Sequence, residues 1–405
     1  MTYDLGALRD ALTAEWLGNR PSFERFASKA ESVGFPGVDR YDYAAVMRDI
    51  RQVKALFKAA EIDPETVNVD KIVINSWGRQ GDDHFQVKTF LTPKKDAAGD
   101  QEAVSILPEP RELVYNTTAR VSGGMDTLDV PDLHIGWYRM PDGTLTPLHD
   151  PQFIEAMIGV VRYFRPARII FHGDNLDFAA FGTYVTHPGY LHTIRATVKT
   201  AYEYKARFRE AAGADCEIVY FAGNHEDRVR KRVEEKIPEL AALTVVDSDV
   251  SVFSPRHFLR LDELGIRYVE KYGERLFFDG IQYMHGEIIG PDGGDTTSKM
   301  LKKYRGRSAQ GHTHRLGVNF HTEWTEDGEV EEWAMEVGYG GRMDGVVPGS
   351  NKPNWKKGFA CTWTGGPNAP VVPAVYPYRE KLGGFIIERV VISSALDEAQ
   401  AELPL

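Results

Sequence analysis

The stretch Ala167-Arg168-Ile169-Ile170-Phe171, running into His172-Gly173-Asp174-Asn175-Leu176-Asp177, decides the fold. A short apolar run that stops at a glycine reads as a buried strand, and the carboxylates after it fall at the strand's C-terminal end. The arrangement recurs. Cys216-Glu217-Ile218-Val219-Tyr220-Phe221 precedes Gly223-Asn224-His225-Glu226, and Ile281-Gln282-Tyr283-Met284 precedes His285-Gly286. Amphipathic patterns over 153–164 and 192–211 lie between the runs. Strand, polar motif and helix in repetition predict a layered α/β architecture with its chemistry at the C-terminal strand ends.

Two further segments flank this series, Asp132-Leu133-His134 upstream and Gly311-His312-Thr313-His314 downstream. All five offer carboxylate, amide or imidazole donors, the set that suits first-row divalent metals. Together they provide enough ligands for two ions and one spare histidine. That points to metal-assisted hydrolysis of a phosphate ester. The two cysteines, Cys216 and Cys361, are far apart and form no Cys-x-x-Cys pair. This excludes a thiolate zinc site and a disulfide scaffold and fits a reducing compartment.

The chain has 405 residues, 42% hydrophobic and 26% charged, with a net charge of −11. This is the composition of a soluble globular protein, and an acidic chain does not coat duplex DNA by charge alone. No apolar core of a signal peptide follows Met1-Thr2-Tyr3-Asp4, and no apolar run approaches a membrane span, so the expected location is the cytoplasm, away from membranes. Basic runs at 228–236 and 299–307 read first as solvated helix faces. Within and beyond them Lys303, Arg305 and Arg342 are candidate contacts to a substrate phosphate.

Residues 1–92 read as a separate module. Leu5, Leu8, Leu12 and Trp16 mark one helix, Phe23, Phe26, Ala27 and Ala30 a second, and Val46, Ile50, Val53 and Phe57 a third. Lys71–Trp77 and Phe85–Leu91 alternate like the strands of a hairpin. The module suits a winged-helix DNA reader, an oligomerisation element or a lid. Residues 93–124 read as linker and 125–395 as the catalytic domain.

Over 125–395 the five segments, in this order, resemble the calcineurin-like metallophosphoesterase superfamily, including phage-encoded members. The resemblance implies a layered β-sandwich flanked by helices. By matching position, Asp132, His134 and His314 resemble ligands of a first metal and Asn224, His285 and His312 ligands of a second, with Asp174 bridging both. It further implies that a hydroxide between the metals attacks phosphorus, that His225 protonates the leaving oxygen, and that Asp177 pairs with His225. Manganese is the expected metal, with iron or zinc as alternatives. Protein phosphatases of the superfamily carry an arginine where this chain has Phe178, an apolar side chain that cannot clamp phosphate, which counts against that branch. The layout is also similar to nucleases and phosphodiesterases of the superfamily, and the basic runs and the N-terminal module point to DNA or a nucleotide as substrate. The alternatives are a phosphomonoesterase of small molecules, nucleotides or phosphoproteins, and a non-catalytic DNA-binding or scaffold protein.

Overall fold

The computed structural model describes residues 22–32, single positions between 40 and 51, and the backbone of 67–77, 84–93, 390 and 391. It further describes residues 107–120, 124–182, 187–326, 328–345, 354–364, 370–387 and 392–394. The chain divides into two compact units, Met1–Val104 and Ser105–Leu405.

In the first unit, helix α1 (Phe23–Ser32) buries Phe26 and Ala30, four residues apart and therefore on one face. Val46 and Ile50 join them in one apolar cluster. Strands β1 (Val67–Trp77) and β2 (His84–Pro93) pair antiparallel, with a bulge between Val69 and Lys71. The expected helix at Leu5–Trp16 and the Val53 and Phe57 end of the third lie outside the described residues.

The second unit opens with β3 (Met125–Val130), β4 (Trp137–Arg139), β5 (Leu145–Pro147), α2 (Pro151–Phe164), β6 (Arg168–Phe171), α3 (Ile194–Ala212) and β7 (Glu217–Phe221). It continues through α4 (Asp227–Lys236), α5 (Pro255–Phe258), β8 (Ile266–Val269), β9 (Leu276–Phe278), β10 (Ile281–Met284), α6 (Asp295–Tyr304) and β11 (Arg307–Gln310). It closes with β12 (Leu316–Thr325), β13 (Gly328–Val337), β14 (Gly358–Thr364), β15 (Val371–Pro377), β16 (Gly384–Ile387) and β17 (Val390–Ser393).

One sheet has the order β15-β14-β3-β6-β7-β8, and the other β12-β13-β11-β10-β9. β3, β6, β7 and β8 run parallel, as do β10, β11 and β13. Side chains alternate along each strand, so successive residues serve different layers. Ile169, Phe171, Ile218 and Tyr220 share a core with Phe153, Met157 and Val161 of α2 and Val198 and Phe208 of α3. Ile170, Val219 and Phe221 face the other way, into a core with Ile281 and Tyr283 of β10 and Trp333 and Met335 of β13. Helices thus cover one face of the first sheet and the second sheet covers the other. Each fully buried apolar side chain contributes about 1.5–3 kcal/mol, which fixes the strand ends that carry the polar motifs. The start of α2 is equally defined: Asp150 accepts from the backbone N–H of Gln152 (2.9 Å) and Phe153 (3.2 Å), and Pro151 opens the first turn.

The C-terminal part of the stretch expected as linker is fastened to this unit. Leu107 and Leu113 pack on its core, and Arg111 pairs with Glu203 (2.5 Å) and Glu210 (2.8 Å) of α3. Asn116 donates to the carbonyls of Arg162 and Ala211. These partners lie far along the chain, so a local reading of 93–124, rich in Pro, Gly and charge, does not show what its few apolar residues pack against. Overall the protein is mixed α/β, and no helix among the described residues is long and apolar enough to cross a membrane.

Candidate metal centre

The five polar segments follow directly from the C-terminal ends of β3, β6, β7, β10 and β11, three from one sheet and two from the other. The loops leave these ends through strained backbone: φ is 47° at His134, 46° at Asp174, 70° at His312 and 58° at His314. Such left-handed residues cluster where a site over-determines its geometry. Gly173 is required by crowding as well as by φ of 96°. A Cβ there would sit 2.7 Å from Gly223 N and 2.7 Å from His285 Nδ1.

Three groups of donors result among the described residues. Asp132, His134, Asp174 and His314 form one, Asp174, His285 and His312 a second, and His134, Asp177 and His225 a third. In the first, His134 Nε2 lies 3.0 Å from His314 Nε2, which is 3.1 Å from Asp132 Oδ2. In the second, His285 Nε2 lies 3.2 Å from His312 Nδ1, 3.1 Å from Asn224 Oδ1 and 3.5 Å from Asp174 Oδ2. Asp174 belongs to both of these.

The hydrogen bonds around these atoms test whether a metal fits. His285 Nδ1–H donates to His172 O at 2.7 Å, so in the neutral imidazole Nε2 is a lone pair facing other acceptors. His134 Nδ1 similarly faces Asp177 Oδ1 at 3.1 Å and leaves Nε2 toward His314. Asp132 Oδ1 and His314 Nδ1 are buried without a partner. Burial and the carboxylates of Asp132 and Glu226 drive Asp174 well above the ordinary carboxylate range. Burial and the neighbouring His285 bring His312 down to about 4. Convergent buried acceptors that lack donors are what a divalent cation satisfies, and the set fits oxygen- and nitrogen-binding metals.

His225 stands beside the two groups that share Asp174 and belongs only to the third, with His134 and Asp177. Its Nδ1–H donates to the Asp177 carbonyl at 2.6 Å, while the Asp177 carboxylate lies 3.7 Å away and is nearer His134. The Asp177 carboxylate thus lies within ion-pair range of both rings, closer to His134 than to His225, whose shortest bond is to the Asp177 carbonyl. Burial, followed by the charges of His134 and Arg228, pushes His225 well below the ordinary histidine range.

Of the cations expected near substrate, Arg342 is engaged by Asp344 (2.6 Å) and Pro147 O (3.2 Å), and Lys303 by Glu287 (3.4 Å). Arg305 ends α6 and lines a shallow cavity with Ser298, Asn319 and His321. The cation placed against His225 is Arg228, with Nη2 2.8 Å from His225 Nε2 and Nη1 2.9 Å from Asp177 O. It sits in a basic run whose residue types alone do not distinguish it.

Three further groups support the site, and their partners are not legible in the sequence. Glu226 is buried and accepts from the backbone N–H of Asp174, Leu176 and Gly223, each at 2.9 Å, and from Tyr220 OH at 2.6 Å. It ties the loops after β6 and β7 together. Its place after Gly-Asn-His was the available signal. His172 bridges Asp129 (2.7 Å) and Met284 O (2.8 Å), all within the interior. Lys205 of α3, also buried, donates to Asn175 Oδ1 and lies over the rings of Phe171 and Tyr220.

Glu226→Gln is expected to destabilise the protein by about 1–3 kcal/mol, although it is isosteric. Each Glu226 oxygen receives two hydrogen-bond donors, and an amide NH2 on either side would face donors only. Urea unfolding of both proteins measures this, and an unchanged midpoint would show that Glu226 does not hold the loops.

No protein-family model matches the chain. The Gene 54 protein of Mycobacterium phage L5 is 24% identical over 244 residues, covering 58% of this chain and 90% of that protein.

Proposed function

We propose that the protein is a dinuclear, metal-dependent phosphoric ester hydrolase of the calcineurin-like kind, cleaving phosphodiesters of nucleic acid or a nucleotide. The observation that carries this reading is the sharing of Asp174 between two groups of metal donors, with His225 beside them and in neither. Asp132, His134, Asp174 and His314 would hold one ion; Asp174, Asn224, His285 and His312 would hold the other, with manganese the first choice. When bound, such ions supply Lewis acidity, making water an effective nucleophile near neutral pH and neutralising charge on the phosphoryl oxygens.

The chain's own residues do the rest. His225 is held by its Nδ1–H on the Asp177 carbonyl, so Nε2, which accepts from Arg228 here, is the atom that would take up a proton and pass it to the leaving oxygen. Glu226 keeps the Asp174 and His225 loops in register from below. The proposed catalytic domain is 125–395.

Metal-stripped protein reloaded with manganese is expected to hydrolyse bis-p-nitrophenyl phosphate faster than p-nitrophenyl phosphate, and to lose hydrolysis again on chelation. A reversed preference would make it a phosphomonoesterase. Silence on both esters and on single- and double-stranded DNA would leave a scaffold or DNA-binding role.

A further inference from the structure

Helix α4 starts within the Gly223-Asn224-His225-Glu226 turn and carries four basic residues in its first turns. Three of them have acceptors away from His225. Arg230 pairs with Asp227 (2.7 Å) and Glu234 (2.7 Å), Lys231 with Asp227 (2.9 Å), and Arg232 donates to Gly182 O (3.1 Å). Arg228 turns the other way, alongside the imidazole of His225.

Its two acceptors there are neutral. Nη1 donates to the Asp177 carbonyl, and Nη2 donates to His225 Nε2, which is a lone pair because Nδ1 carries the hydrogen. A half-buried guanidinium satisfied by a carbonyl and an imidazole gains by exchanging them for an anion. Charge-assisted, bidentate bonds to phosphate are about twice as strong as neutral ones. The exchange also frees the atom of His225 that must face the leaving oxygen. No cation comes from position 178, where Phe178 is buried against Phe181 and Phe258.

We propose that Arg228 grips the non-bridging oxygens of the scissile phosphoryl group and releases His225 as it does so. This rests on the phosphoesterase reading above.

The test is calorimetric binding of inorganic phosphate to the full-length, manganese-loaded protein, with metal content measured in parallel. Arg228→Ala is expected to weaken phosphate binding about 10- to 100-fold, the loss of charged hydrogen bonds, with metal content unchanged. Arg228→Lys, which keeps charge but not the fork, should fall between. Arg230→Ala, on the same helix, should bind phosphate like the wild type. Undiminished phosphate binding by Arg228→Ala, in a wild type that binds phosphate and hydrolyses esters, overturns the proposal alone. Loss of metal from Arg228→Ala also overturns it, since Arg228 would then hold the site together. A metal-loaded wild type that binds no phosphate and hydrolyses no ester overturns the phosphoesterase reading and the proposal together.

Discussion

An Asp174→Asn protein, stripped and reloaded with manganese, is expected to bind metal at background level and to hydrolyse esters at least about 100-fold more slowly than the wild type. Even residues that only support metal ligands typically cost 10- to 100-fold when changed, and Asp174 is the one carboxylate common to the first two donor groups. Without its charge the second group is left with His285, His312 and the Asn224 amide, all neutral ligands for a dication. Asparagine is the informative replacement. It tolerates the left-handed backbone of φ 46° and can still accept the His225 N–H that Asp174 Oδ1 accepts at 2.8 Å. Alanine would add backbone strain and confuse folding with binding. The second readout is thermal unfolding. Metal at 100 times its dissociation constant stabilises a folded protein by about 2.7 kcal/mol, and Asp174→Asn should gain none of it. If the variant kept full metal content and the metal-linked stabilisation, Asp174 would not be shared between ions.

The strands and donors could be read from the sequence because each is local. An apolar run of four to six residues sets a strand, and a polar residue one to six positions beyond it must lie near that strand's end. Asp174, Asn224 and His285 are of this kind. Asp132, His134, His312 and His314 follow strands that are not apolar runs, Met125–Val130 and Arg307–Gln310, and are legible only from their Asp-x-His and Gly-His-x-His motifs. The two sheets bring the five ends together. What escaped reading depends on direction in space. Residues 228–236 are a solvated face at Arg230 and Lys231, as a charge run suggests, yet Arg228 one turn away faces His225. Spacing along the chain places Asp177 near His225, but it does not show that the carboxylate is nearer His134 or that the Asp177 carbonyl takes the His225 N–H. Glu226, Lys205 and the His172–Asp129 pair act on partners from other strands and helices, which no spacing along the chain reveals. The Arg111–Glu203 and Arg111–Glu210 pairs that fasten 107–120 are of the same long-range kind.

His225→Ala is expected to keep its metal and lose turnover by about 10²- to 10⁴-fold on unactivated esters, the usual size of a general-acid contribution. His225 belongs to neither Asp174-containing donor group, and it is fastened by the Asp177 carbonyl and flanked by Arg228, so its removal spares Asp132, His134, His314, His285 and His312. The size of the loss should depend on the leaving group. p-Nitrophenolate departs as an anion and needs little protonation, so bis-p-nitrophenyl phosphate should be slowed least. The alkoxide leaving from a nucleotide sugar needs a proton as the bond breaks, so dinucleotide cleavage should be slowed most. Rates for both substrates in wild type and variant, at matched metal content, separate the roles of His225. Equal slowing of the two would mean that His225 binds the substrate without passing a proton to it. Wild-type turnover of the dinucleotide by the variant would remove His225 from the reaction, and the proton would have to come from solvent reaching the crevice between the two sheets.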